Sequence, residues 1–166
     1  GFAGLSSSII GQQLSNKVAK TIRDRYRKLF ENETPSAKEM VSFNDEILRK
    51  VGLSYSKIKY VRGLAEWLIR GDLVISEMEK LEDEKAIATL VQIKGIGRWT
   101  AEMYLMFSLN RPDILPLGDA AIEAAMKRIY ELPEKKWENQ ATNIAEKWKP
   151  WRTVACWYLY RYHGLV

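Results

Sequence analysis

Apolar residues recur at helical spacing along nearly the whole chain, as expected for helices that each bury one face. "GLSSSIIGQQLSNKVAKTIRDRYRKLF" reads as a long amphipathic helix in which "GQQLS" allows a break, with a basic face of Lys17, Lys20, Arg23, Arg27 and Lys28. "NETPS" ends it. "SAKEMVSF" and "NDEILRKVG" read as short helices, the second capped by Asn44 and stopped by Gly52. "SYSKIKYVRGLAEWLIRG" starts on a serine cap and stops at Gly71. "ISEMEKL" and "EDEKAIATLVQI" follow as short helices, then the strongly apolar "GRWTAEMYLMFSL". After the loop "NRPDILPLGD", Asp119 caps "DAAIEAAMKRIYEL", and "PEKKWENQATNIAEKW" and "KPWRTVACWYLYRYHG" complete the chain. Alternating patterns that mark strands are nearly absent, so the expected fold is all-α.

The 166 residues, 46% hydrophobic and 28% charged, can bury one good core or two lobes that share one. There is no low-complexity tract and no clear internal repeat. No apolar run approaches the ~20 residues that cross a bilayer, and no signal-peptide pattern is visible, so no membrane partner is expected. Gly1 rather than Met opens the first helical pattern, so the sequence reads as a trimmed form of something longer. The single cysteine, Cys156, excludes an intramolecular disulfide framework and a cysteine-held metal cluster. Within "TVACWYLY" it reads as a small buried residue, in keeping with a reducing, intracellular setting. One histidine, His163, cannot build a multi-histidine zinc site, and near the chain end it is a poor triad member. A net charge of +5 and a pI near 9.2 suit a polyanionic partner without requiring one.

The tightest glycine spacing lies in "LVQIKGIGRWTAEMYLMF", between two helical patterns. A dinucleotide fingerprint would need a preceding strand and a third glycine where Thr100 stands, so that reading fails. Helix, tight turn, helix fits better. The second helix then begins at the turn, and its unpaired N–H groups and dipole suit a phosphate. Lys94, Arg98 and the Thr100 hydroxyl stand beside it, all able to bond a phosphate oxygen. Spacing alone leaves a second use open, a glycine turn made only for packing. "PLGD" places Asp119 at a helix start after a glycine-containing loop, where dipole and amides stabilise negative charge. A plain N-cap role stays open there too.

Four motifs in order, "IIGQQLS", "LVQIKGIGRWTAEM", "LPLGD" and "WKPWRTVACWYLYR", closely resemble the 3-methyladenine DNA glycosylase II branch of the helix-hairpin-helix DNA glycosylase superfamily. The resemblance spans essentially the whole chain. It implies an all-helical, two-lobed glycosylase with a DNA-binding cleft between lobes. One lobe would run from about 20 to 109 and include the hairpin at 84–107; the other would combine about 1–19 with 110–166. It implies a monomer acting on damaged double-stranded DNA, in cytoplasm or nucleoid, or in the nucleus of a eukaryote.

The same resemblance implies roles. Amides near Gly95 and Gly97 would hold a DNA phosphate, and the carbonyls of Val91, Ile93 and Ile96 a structural Na⁺ or K⁺, with no cofactor for catalysis and no iron–sulfur cluster. Asp119 would be the catalytic carboxylate. Trp99 and Tyr160 would line the base pocket, with Met103 where some bacterial members have a pocket tyrosine, which bears on the range of bases. Strand-cutting relatives carry a lysine nucleophile at the position of Trp99, so a monofunctional enzyme that leaves an abasic site is implied. Tyr55 would be the wedge that fills the hole left by a flipped base, and Gln12 or Gln13 would probe the opposite strand. An alkylated purine already carries positive charge and can leave without an acid, so one carboxylate suffices. Rival readings are a same-fold enzyme for oxidised or deaminated bases, a non-catalytic hairpin module that binds DNA, and an all-helical scaffold.

Overall fold

The computed structural model describes residues 1–164, and no strand occurs among them. It divides into two compact units, Gly1–Tyr104 and a second that begins at Leu105.

The first unit opens with α1 (Phe2–Gly11) and α2 (Asn16–Arg27), so the long N-terminal pattern does break at "GQQLS". Gln13 takes a left-handed φ of +56°, and the Ser15 side chain then caps α2 by accepting the Val18 N–H. Next come α3 (Ala37–Ser42), α4 (Asp45–Lys50) and α5 (Tyr55–Arg70). Ser36, Asn44 and Ser54 cap them, each accepting a backbone N–H from the first turn, as the sequence pattern predicts for the last two. Gly71 ends α5 at a left-handed φ of +82°. The remaining elements are α6 (Ile75–Met78), α7 (Asp83–Leu90) and α8 (Arg98–Phe107), and the division between units falls inside α8.

The longest of these helices, α5, organises the unit. Ile58, Val61, Leu64 and Ala65 form its buried stripe at helical spacing, and α1, α3 and α4 pack against it. From α1 the matching stripe is Phe2, Leu5, Ile9 and Ile10, while Tyr26, Phe30 and Phe43 meet edge to face. Burial pushes the Tyr26 phenol far up, and its hydroxyl finds the Met40 sulfur at 3.5 Å.

These contacts correct the expected lobe boundaries. Residues 1–19 belong with the first unit rather than with the C-terminal third, because the apolar stripe of α1 is buried against α5 and α2. Residues 105–109 belong with the second.

The second unit contains α9 (Ala120–Tyr130), α10 (Trp137–Ala145), a short 3₁₀ turn at Glu146–Trp148 and α11 (Arg152–Tyr162). α9 packs on α11, burying Ile122, Ala125, Met126, Cys156 and Leu159, and Trp137 and Ala141 of α10 are buried as well. Cys156 is fully buried, as its setting suggests. No helix of the described residues is long and apolar enough to cross a membrane.

Because the side chains of Asn44 and Ser54 satisfy amides that have no partner within the helix, replacing either by alanine lowers stability by about 1 kcal/mol. Urea unfolding of Asn44→Ala and Ser54→Ala checks this: the midpoint falls while the slope stays unchanged.

Candidate nucleic-acid interface and buried carboxylate

α7 and α8 form a helical hairpin through the turn 91–97. Ile93 and Ile96 are buried and anchor the turn, with the Ile96 N–H donating to the Ile93 carbonyl at 3.0 Å. Lys94 and Gly97 are exposed. The two glycines do different work. Gly95 has φ +96°, and a Cβ there would lie 2.3 Å from the Tyr60 ring, so what approaches it closely is an internal aromatic side chain. Gly97 has nothing within 4 Å of where a Cβ would sit, which leaves the start of α8 uncovered. Only the second glycine is placed to admit a phosphate to the amides of a helix start.

Two of the side chains expected around that phosphate are engaged by other residues of the chain. The Arg98 guanidinium donates to both Glu84 oxygens, at 3.0 and 2.6 Å, and to Glu102 Oε1 at 2.9 Å. It thereby straps α7 to α8, and the Glu84 contact first and the Glu102 charge next raise its pKa further. Its charge is balanced within the hairpin, unlike the free cation the sequence suggested. Thr100 is 3% exposed, and its hydroxyl accepts the Gln12 side-chain N–H at 2.9 Å. That hydroxyl faces inward because Ala101 and Thr100 pack on the interior side of α8's first turn. Lys94 remains the exposed cation of the turn.

Gln12 and Gln13, alternatives in the sequence, separate clearly. Gln12 Nε2 donates to the Gly95 carbonyl at 2.8 Å as well as to Thr100, so it braces the hairpin. Gln13 is exposed in its left-handed conformation. Tyr55, at the first position of α5, is 67% exposed, and the Arg49 guanidinium lies 4.7 Å from its ring centre. A groove of about 510 Å³ runs from Tyr55 along α5, lined by Lys59, Arg62 and Trp67, and reaches Lys94 of the turn. Trp99 and Met103, four residues apart on one face of α8, are 36% exposed and half-buried.

Asp119 lies in the second unit, 8% exposed, as the N-cap of α9. Its Oδ1 accepts the Ala121 and Ile122 amides at 2.9 and 3.1 Å. The loop that delivers it is clamped by the start of α11. Arg152 donates to both Asp113 oxygens, at 2.7 and 2.9 Å, and to the Asp113 carbonyl at 3.0 Å. The Thr153 hydroxyl donates to the Arg111 carbonyl at 2.7 Å and accepts the Ile114 N–H at 3.0 Å. No local signal in the sequence marks Asp113 as the partner of Arg152, 39 residues away. Burial raises the Asp113 carboxyl, but the Arg152 hydrogen bonds and charge outweigh it and hold it below the usual carboxylate range. Tyr160 is nearly buried on α11, with its ring centre 6.3 Å from that of Phe107.

Among the described residues no group of three or more His, Cys, Asp or Glu side chains could hold a metal ion.

Comparison with known proteins gives a consistent picture. Residues 6–150 match the family described as HhH-GPD superfamily base excision DNA repair protein. DNA-3-methyladenine glycosylase 1 of Schizosaccharomyces pombe is 37% identical over 159 residues, covering 95% of this chain and 70% of that protein. The solved structure of the Schizosaccharomyces pombe 3-methyladenine DNA glycosylase in complex with abasic DNA superposes with a TM-score of 0.87 at 36% identity, covering 96% of this chain and 79% of that one. A DNA-3-methyladenine glycosidase from Bacillus halodurans superposes with a TM-score of 0.85 at 39% identity, over 98% of this chain and 75% of that one.

Three substitutions test this geometry. Gly95→Ala lowers stability by at least about 2 kcal/mol, because the methyl meets Tyr60 and the positive φ is strained. Gly97→Ala leaves thermal stability nearly unchanged, because nothing lies within 4 Å of where its methyl would sit. Arg152→Met costs roughly 2–4 kcal/mol by leaving the Asp113 carboxylate without its partner. Because the folded pKa of Asp113 is depressed, this contribution is present above the ordinary aspartate range and is lost as pH falls through the lower folded value. Urea midpoints of wild type and Arg152→Met therefore converge in strong acid and differ at neutral pH.

Proposed function

This chain belongs to the HhH-GPD superfamily of base excision DNA repair proteins, and we propose that it is a DNA glycosylase for alkylated bases that hydrolyses the N-glycosidic bond of flipped-out purines of the 3-methyladenine and 7-methylguanine type. The observation that carries this reading is Asp119: a buried carboxylate fixed by two amides, on a loop clamped by Arg152 and Thr153. An N-cap aspartate is ordinarily exposed, and burial on a rigid loop suits a carboxylate that must hold its place beneath a substrate.

The chemistry asks for little else. As the bond from the sugar C1′ to the base nitrogen breaks, its electron pair leaves with the base and positive charge builds on the sugar. The Asp119 carboxylate stabilises that charge and orients the attacking water, which adds its oxygen to C1′ and gives up a proton. A cationic alkylpurine departs neutral without being protonated. Exposed Trp99 supplies an electron-rich face for such a cation, an attraction of ~0.5–2 kcal/mol, and Tyr160 adds a second aromatic surface.

DNA is the partner in this reading. Gly97, the first amides of α8 and Lys94 grip a phosphate, exposed Tyr55 fills the space of the flipped base, and exposed Gln13 faces the opposite strand. The carbonyls of Val91, Ile93 and Ile96 are the hard oxygen donors that suit Na⁺ or K⁺, and Ile93 keeps a lone pair beyond the one taken by the Ile96 amide. A cation held there adds positive charge beside the phosphate. With Trp99 directly after "GIGR" and no amine at that position, the enzyme acts as a monofunctional, monomeric hydrolase and leaves an abasic site.

Asp119→Asn tests the mechanism with little disturbance of the fold, because asparagine caps a helix about as well as aspartate. Release of 3-methyladenine from methylated DNA falls by on the order of a hundredfold or more, while affinity for an abasic-site duplex stays nearly intact. Release at a similar rate overturns the assignment of Asp119. Borohydride treatment during turnover traps no covalent protein–DNA adduct; a trapped adduct would mean lyase chemistry.

A further inference from the structure

Lys57 is half-buried on α5, two residues after the exposed Tyr55, and its ammonium faces the end of α1. Nζ donates to the Ile10 carbonyl and to the Gln12 carbonyl, both at 2.8 Å. Those carbonyls belong to the last turn of α1 and to the residue after it, where acceptors have no partner within the helix and the dipole is negative. A second cation serves the same helix end, since Arg23 Nε donates to the Ser7 carbonyl at 3.0 Å. Holding two cations close together costs something: burial first, and the Arg23 charge second, lower the Lys57 pKa. A surface lysine placed only for solubility would make neither bond.

The bonds continue from there. Lys57 fixes the backbone of Gln12, and the Gln12 side chain, with one amide nitrogen, holds both the Gly95 carbonyl and the Thr100 hydroxyl. Gly95 cannot shift toward α5, because the Tyr60 ring already lies against its Cα. The hairpin turn is thus gripped from two sides by groups on, or held by, α5.

We propose that Lys57 is a positioning residue that acts through Gln12, coupling the helix that carries the Tyr55 wedge to the hairpin turn that grips DNA. This deepens the glycosylase reading and rests on it for the roles of Tyr55 and the hairpin, although the coupling itself requires no chemistry. The relay makes the phosphate grip and the wedge parts of one hydrogen-bonded unit. It also sets the entry of the chain into Gln13, whose left-handed conformation turns that residue outward.

Affinity for a duplex containing a tetrahydrofuran abasic analogue tests the coupling without any excision step, so it stays informative even if no alkylated base is released. Lys57→Met and Gln12→Ala each weaken binding by about tenfold, and the double variant by about tenfold rather than a hundredfold, because both cut one relay. Lys57→Arg, whose fork can serve the same two carbonyls, keeps affinity within about threefold. Hydrogen exchange supplies the readout that general destabilisation does not: in Lys57→Met the amides of Ile93–Arg98 exchange faster, while those of α9 and α11 are unchanged. A hundredfold loss in the double variant, wild-type binding in both single variants, or unchanged exchange at the hairpin turn overturns the proposal. If Lys57→Met does not fold, Lys57→Gln and Gln12→Glu take its place in the same cycle and are read in the same way.

Discussion

Unpaired backbone groups at helix ends are the constraint on which this structure depends. Eleven α-helices, most of them short, fill the described residues, and each leaves amides at its start and carbonyls at its finish without intrahelical partners. In a protein of this size many such ends are drawn toward the interior, where an unmet donor or acceptor costs roughly 1–3 kcal/mol. Side chains answer several of them. Ser15, Ser36, Asn44, Ser54 and Asp119 accept amides at helix starts, and Lys57 donates to the Ile10 and Gln12 carbonyls where α1 ends.

The proposed function reuses these same positions. Where a helix start is left uncovered, at Gly97, the proposal seats a phosphate. Where a helix start is capped by a buried carboxylate, at Asp119, the proposal uses the same cap as the anion that meets a developing cation. Tyr55 occupies the first turn of α5, and Gln13 the gap between α1 and α2. In that proposal helix ends carry the function because there unpaired backbone groups and left-handed conformations meet solvent, while helix middles are committed to packing.

Much of this was legible in the chain. Periodicity alone yields the helices, because each has one apolar stripe and most have a cap residue or a terminal glycine that declares the boundary, as Asn44, Ser54, Gly71 and Asp119 do. The hairpin is legible from the same signals. What periodicity cannot show is which polar side chain is already engaged. Arg98, Thr100 and Gln12 look like free ligands in a line of letters, yet Glu84 and Glu102 hold the first and Gln12 bonds the second. Their partners lie from four to 88 residues away, and only the closest of those spacings is readable on a helix face.

The sequence by itself determined the helical class, the hairpin and the acidic helix start, since these follow from local propensity, capping and spacing along one strand of chain. Tertiary structure decided the rest. It gave Gly95 to Tyr60 and Gly97 to solvent, turned Gln12 inward and Gln13 outward, placed residues 1–19 with α5, and tied Asp113 to Arg152. The physical reason is common to all of these. A glycine, an amide or a guanidinium has the same local preferences in either role, and only the neighbours that folding brings within hydrogen-bonding or van der Waals distance choose between them.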